Sequence, residues 1–512
     1  MIRQGKEVQA DVTESCDVCV IGSGCGGASL AARLAERGRS VVVLEQGGYY
    51  TRTDFDQREA NMLAKVDGGR GLDTSKDQSV SFTYGNNVGG ASVHYWADSY
   101  RTPSDRLQLW EEQYGLQGHG EALLTPHFAR IEQDLHVHLA TDFYTNRMNQ
   151  LVREGAEKLG WHVARVPQAR KNCVTSGYCM LGCSYDAKQS QLVTYLPRML
   201  NAGGRLYADC RAERLVFEGG RVKTVEASVL DRATGEPTGT KVRVTAKAFV
   251  VAAGGFATPE FLLRQGLKAR LPALGEHFFC NPCAMTHALY DEPIIQWRNI
   301  PSAWGVEEFR LARLDGSRYV EGGYLLMANQ MHPGMLAAVL PGLGASHRAL
   351  MTQMPKLGGL ISWIDDVEEG RVTLENGRRR IHVPIDGGNG LRLRDALRKQ
   401  AKLLLTSGAR EVLLGDVRDT RITRLEDIDR AVDSVDLRPA RNVFAAPHPG
   451  GGARMGADPK NSVVGFDHRV HGTDNLYVAD PSVLPTAPSV DPSLTIMAFS
   501  FVAADSIQAA LG

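Results

Sequence analysis

The chain carries no net charge: 58 Lys and Arg residues balance 58 Asp and Glu residues. It has no long basic run either, which argues against nucleic acid as an obligate partner. No N-terminal secretory h-region and no unbroken apolar stretch of 18 residues can be read. The expectation is therefore a cytoplasmic protein without a transmembrane segment, peripheral to a membrane at most. Cysteine is too sparse for a disulfide-stapled scaffold: nine residues, an odd number, in 512. Free thiols are expected. Internal repeats and low-complexity tracts are lacking too. What remains is the composition of a large globular enzyme, long enough that two interleaved domains are expected instead of one core.

The opening segment, CDVCVIGSGCGGASLAARLAERGRSVVVLEQGG from Cys16, reads as strand, glycine turn, helix and strand. Val18, Val20 and Ile21 form an apolar run, Leu30 and Leu34 fall at helical spacing, and Val41 to Leu44 restore a strand. Gly22, Gly24 and Gly27 spell GxGxxG. In a dinucleotide fold the first glycine permits the tight turn, the second lets the backbone approach a pyrophosphate, and the third lets helix and strand pack closely. The helix N-terminus then offers amide donors to the phosphates. Glu45 lies where a carboxylate binds an adenosine ribose hydroxyl and repels a 2′-phosphate, which disfavours NADP.

Further along, GNNVGGASVHYWADSYRTP from Gly85 is a glycine-rich loop suited to lie against a flat ligand. KAFVVAAGG from Lys247 reads as a later strand of the same sheet, and the following ATPEFLLRQG as a helix starting at its Thr and Pro. From Glu276 to about Pro439 the texture turns to β-like segments. One of them is RVTLENGRRRIHV, whose AsnGly predicts a hairpin turn, and a helix follows over Leu391 to Ser407. The expected architecture is α/β, a Rossmann-like dinucleotide domain interleaved with a substrate domain on an antiparallel sheet. The nucleotide domain is assigned 1–110, 195–275 and 440–512, the cap and connecting segment 111–194, and the substrate domain 276–439.

Ordered along the chain, the GxGxxG unit, VGGASVH, GGFATPEFLLRQG, HPGGGARMG from His448, NLYVADPSVLPT from Asn475 and DPSLTIMA from Asp491 resemble the glucose-methanol-choline (GMC) oxidoreductases, an FAD-dependent family. The likeness covers most of the chain. It implies FAD as cofactor, with Gly22, Gly24, Gly27, Glu45, Asn87, Gly90, His94, Asp480 and Pro492 as contacts. It also implies oxidation of a hydroxyl group to a carbonyl by hydride transfer to flavin N5, with His448 as the base. The chemistry agrees: an imidazole with a pKa near 6.5 can accept the hydroxyl proton at neutral pH.

At the second catalytic position the chain departs from the family, which places Asn or His there, whereas here Asp491 precedes Pro492. Asp at N-cap and Pro at N1 make a good helix start, with Leu494, Met497, Ala498 and Phe501 as the buried stripe. Capping alone and capping combined with substrate positioning both fit. His94 matches the histidine that carries a covalent flavin bond in pyranose and choline oxidases, so a covalent link and an ordinary loop histidine both stand. Asp480 also fits a turn cap.

Cys173, Cys179 and Cys183 have a Cx5CxxxC spacing similar to that of iron–sulfur-bearing sugar-dehydrogenase subunits. GYCMLGCSYDAKQS from Gly177 is closer to the cysteine segment of long-chain alcohol oxidases, with Ser176 where another cysteine often stands, which favours structural thiols and no metal. A methionine- and leucine-rich stretch, Leu325 to Trp363, suits either a lipid-sized pocket or plain core. The expected substrate is an apolar or lipid-like alcohol, with oxygen or another carrier as electron acceptor. A sugar dehydrogenase is one alternative; another, kept open by Asp491, is a non-oxidising flavoprotein such as a lyase, isomerase or photodecarboxylase.

Overall fold

The computed structural model describes all residues 1–512. Its first sheet is built around the predicted unit. Val12–Ile21 pairs in parallel with Val41–Leu44 on one side and with the long strand Pro237–Val251 on the other. Arg205–Tyr207 and Ile2–Arg3 extend the parallel edge. Arg221–Leu230 and Cys210–Glu218 add an antiparallel flank, and Leu476–Val478 pairs in parallel with the end of Pro237–Val251. Central parallel strands are covered on both faces and read as unbroken apolar runs; Val18 to Val20 and Val41 to Leu44 are accordingly buried.

The second sheet is antiparallel, in the order Arg421–Ile422, Glu411–Leu414, Cys283–Leu289, Leu357–Ile364, Tyr324–Ala328, Trp304–Val306 and Val163–Arg165. The helix Gly387–Thr406 packs on it. Segments outside 276–439 also enter this sheet: Val163–Arg165 at one edge, and the parallel pair Val80–Phe82 and Phe444–Ala446 beside Cys283–Leu289. The chain thus crosses between the sheets more often than its pattern suggested. The AsnGly hairpin forms as expected, Arg371–Glu375 against Arg378–His382, with Asn376 and Gly377 both at positive φ.

Two local expectations are corrected. The helix after the Lys247 strand runs Gly254–Arg264 and carries Pro259 inside it. It starts early because the Thr258 hydroxyl accepts from the Ala253 amide at 3.0 Å, satisfying a helix-end donor from within. The terminal helix Ser493–Leu511 has no polar face over its first three turns, since every residue from Ser493 to Ala504 is buried. By length and composition that helix is also apolar enough to cross a membrane, which a search for an unbroken apolar run overlooks. It packs against Cys25–Glu36 and Glu121–Asp134, with 61% of the span buried inside the protein.

Candidate active site

One cavity of about 1100 Å³ runs along the seam between the two sheets, at the upper end of what small-molecule sites usually occupy. Gly22, Ser23, Gly24 and Glu45 line it together with Gly90, His448, Asp491 and Pro492. The topology explains the meeting. His448 stands two residues after the end of Phe444–Ala446, a strand of the second sheet, while the next residues join the nucleotide unit, with Gly451 N donating to Pro481 O at 3.1 Å. A Cβ on Gly255 would stand 2.1 Å from Pro449 O, so the close approach of that helix to the His448 loop requires glycine.

His448 Nε2 lies 3.4 Å from Asp491 Oδ1, and the two side chains are only 12% and 14% exposed. His448 Nδ1 and Asp491 Oδ2 are buried without a hydrogen-bond partner. This corrects the capping expectation. The helix begins at Ser493 with Pro492 as its N-cap, and no side chain caps it. The Asp491 carboxylate is turned to the imidazole. Replacing Asp491 by Asn therefore removes no capping bond, whose loss otherwise costs about 0.5–2 kcal/mol. Its melting temperature is expected to match the parent; a drop of several degrees would restore the capping role.

The other expected contacts divide. Glu45 accepts from Ser23 N (2.9 Å), Ser23 Oγ (2.8 Å) and Gly47 N (2.8 Å), and burial holds its carboxyl above the usual range. Gly27 serves packing, with a Cβ there falling 2.1 Å from Gly22 O. Asp480 reaches the cavity wall, but its oxygens are engaged by Gly254 N, Thr258 Oγ1, Ser482 N and Ser482 Oγ, so the carboxylate braces two turns. Asn87 lies behind the wall, donating from Nδ2 to Val66 O at 2.9 Å, while Asn86 lines the cavity. His94 is likewise buried behind the wall that Ala91, Ser92 and Tyr95 present, with Nε2 unpartnered. Burial, then the charge of Lys188, pushes its pKa down to about 3, so the ring is neutral.

Sequence reasoning passed over Asp98, which lines the same cavity. Its carboxylate accepts from Ser302 Oγ at 2.6 Å and from Gln168 Nε2. Burial first, and then the neighbouring Asp491, hold its pKa well above the usual carboxylate range. Its place four residues after His94, in the same loop, was the available signal. The folded state binds this proton more tightly than the unfolded chain. The associated stability is complete below about pH 4 and is lost as pH rises into the neutral range. Asp98→Asn should make stability fall less steeply between these limits, as read from melting curves across pH; identical slopes would contradict a shifted Asp98.

The methionine-rich stretch does not line the cavity. Met327, Met331, Met354, Leu336 and Leu340 form a core cluster with Trp363, whose ring meets the His448 imidazole edge-on at 5.6 Å between centroids. Cys173, Cys179 and Cys183 line one small pocket apart from the main cavity, and no group of three or more His, Cys, Asp or Glu side chains is arranged to hold a metal ion.

Family models described as GMC oxidoreductase match residues 33–283 and 366–500. The chain belongs to the GMC oxidoreductase family. An uncharacterized GMC-type oxidoreductase of Mycobacterium tuberculosis is 31% identical over 96% of this chain and 76% of its own. Two long-chain-alcohol oxidases of Arabidopsis thaliana are 26% and 27% identical over 95% and 99% of this chain and 67% and 69% of theirs. Among solved structures, pyridoxine 4-oxidase from Mesorbium loti superposes with a TM-score of 0.71 at 18% identity, covering 96% of this chain and 98% of that one. A formate oxidase variant of Aspergillus oryzae gives 0.71 at 15% identity over 98% and 99%. This GMC oxidoreductase is an FAD-dependent enzyme acting on CH–OH donors.

The cavity fits FAD. Gly24 carries no side chain to cap the helix Cys25–Glu36, so its first amides are left for phosphate oxygens. A Cβ on Gly90 would lie 2.7 Å from Gly24 Cα, so the Gly90 loop comes this close to the GxGxxG turn only as glycine. Pro492, Ser493 and Ile496 bring the positive end of the terminal helix to the cavity wall.

Proposed function

We propose that the enzyme oxidises an apolar primary or secondary alcohol to the carbonyl compound, with His448 as base, Asp491 as its partner and oxygen as electron acceptor. The observation that carries this reading is the facing pair at the cavity wall, His448 Nε2 and Asp491 Oδ1 at 3.4 Å, with an unpartnered buried atom on each side chain. FAD bound in the cavity supplies the hydride acceptor. The imidazole takes the hydroxyl proton, and the carboxylate beside it offsets the positive charge that results. Gly22, Gly24, Gly90 and Pro492 shape the cofactor's walls, and Gly27, Glu45 and Asp480 hold the turns that carry them.

An apolar substrate is supported by the relatives, among which are long-chain-alcohol oxidases. Anaerobic mixing with a panel of alcohols and sugars tests the choice. Bleaching of the flavin band by long-chain alcohols is expected. Bleaching by sugars alone would favour a sugar dehydrogenase, and failure across the panel would favour a non-oxidising flavoprotein.

We read the cofactor as noncovalently held, because the His94 ring sits behind the wall. Precipitation in trichloroacetic acid should leave the flavin in the supernatant; flavin in the pellet would restore the link through His94.

A further inference from the structure

Away from the cofactor cavity, Cys173, Cys179 and Cys183 line a small pocket together with Arg170 and Lys188, opening beside the half-exposed Val174 and Tyr185. Both cations are buried, 3% and 2% exposed. Arg170 donates to Gln168 Oε1 at 2.8 Å, Trp96 O at 2.5 Å and Cys179 Sγ at 3.3 Å. Lys188 Nζ donates to Val93 O at 2.6 Å, Tyr95 O at 3.0 Å and Cys179 O at 2.5 Å. None of these acceptors is a carboxylate. A buried cation needs a counter-charge, and the Cys179 thiol is the acidic group hydrogen-bonded to Arg170, with the Cys173 thiol and Asp98 also acting on that guanidinium. The Arg170 guanidinium donates to that sulfur, and the sulfur lines the pocket.

We propose that Cys179 is the reactive thiol of a dithiol site oxidised by hydrogen peroxide, with Cys173 or Cys183 as the resolving thiol. In the first step the Cys179 sulfur attacks a peroxide oxygen. The S–O bond forms, the O–O bond breaks, and hydroxide leaves with the Cys179 thiol proton as water. In the second, the resolving sulfur attacks Cys179, the S–S bond forms, the S–O bond breaks, and hydroxide leaves with the resolving thiol's proton as water. The dithiol loses two electrons and two protons, and the peroxide ends as two waters.

The remaining thiols differ in kind. Burial pushes Cys16, Cys25 and Cys210 up to about 12, and Cys19, Cys280 and Cys283 well above their ordinary value. They stay protonated and inert. Oxidation of Cys179 removes the sulfur acceptor from Arg170, and the two cations that face it also hold the carbonyls of Val93, Tyr95 and Trp96. That segment leads to Asp98 on the cavity wall, and Gln168 joins Arg170 to Asp98 directly. Oxidation therefore loosens the wall of the cofactor cavity.

The test titrates the FAD-loaded protein with added hydrogen peroxide and reads thiols by alkylation and peptide mapping, and backbone order by amide hydrogen exchange. The expected result is loss of two thiols per chain, a disulfide-linked peptide containing Cys179, and faster exchange over residues 93–98, all reversed by dithiothreitol. Cys179→Ser should lose neither thiol. A chain with both Cys173→Ser and Cys183→Ser should instead stop at a sulfenic acid trapped by dimedone at Cys179, a readout that survives if Cys179→Ser fails to fold. Oxidation first at another cysteine, or unchanged exchange over 93–98 after Cys179 is oxidised, overturns the proposal.

Discussion

Replacing His448 by alanine is expected to lower turnover of an alcohol substrate by about 10²- to 10⁴-fold, the usual worth of a positioned general base. Bound FAD should stay at the level of the parent. The imidazole makes no hydrogen bond that holds the fold together, since its Nδ1 is unpartnered and its Nε2 faces only Asp491 at 3.4 Å. Its removal costs a proton acceptor and an edge contact with Trp363. Equal flavin content with slow turnover separates a chemical role from a structural one. Turnover within a few-fold of the parent would move the base elsewhere, and Asp491 would be the next residue to replace.

Gly24→Val should yield a folded protein that purifies without flavin. Gly24 has φ −71°, open to any residue, and a Cβ there meets nothing nearer than Gly90 Cα at 3.8 Å. The fold therefore accepts a side chain at this position, which occupies the space that the pyrophosphate must enter. Gly27→Ala makes the opposite case, with its Cβ 2.1 Å from Gly22 O, so that variant is expected to lose the strand-to-helix packing itself. Flavin absorbance together with melting of the flavin-free proteins distinguishes the two outcomes. A Gly24→Val protein carrying stoichiometric FAD would place the pyrophosphate elsewhere in the cavity.

Much of this was legible in the sequence because it is local. Val18 to Gly27, Glu45 and the AsnGly hairpin each announce their geometry within a few residues, and the helix start near Asp491 was readable to within two positions. The direction of the Asp491 side chain was not. Capping is decided by local propensity, whereas the imidazole that draws the carboxylate away is 43 positions earlier in the chain. Asp98 was silent for the same reason: its unusual proton affinity comes from burial and from Asp491, Ser302 and Gln168, none of them neighbours in sequence. Likewise the methionines from Met327 to Met354 read equally as pocket or core, and only packing assigns them to the core cluster beside Trp363.

The chemistry is tested most directly by an anaerobic single turnover with an apolar alcohol, protiated and then deuterated at the carbon bearing the hydroxyl, in the parent and in His448→Ala. The flavin band should bleach in one exponential, more slowly with the deuterated alcohol, and by about 100-fold or more slower again in the variant. Bleaching at the same rate for both isotopes and for both proteins, or no bleaching at all, would contradict hydride transfer assisted by His448.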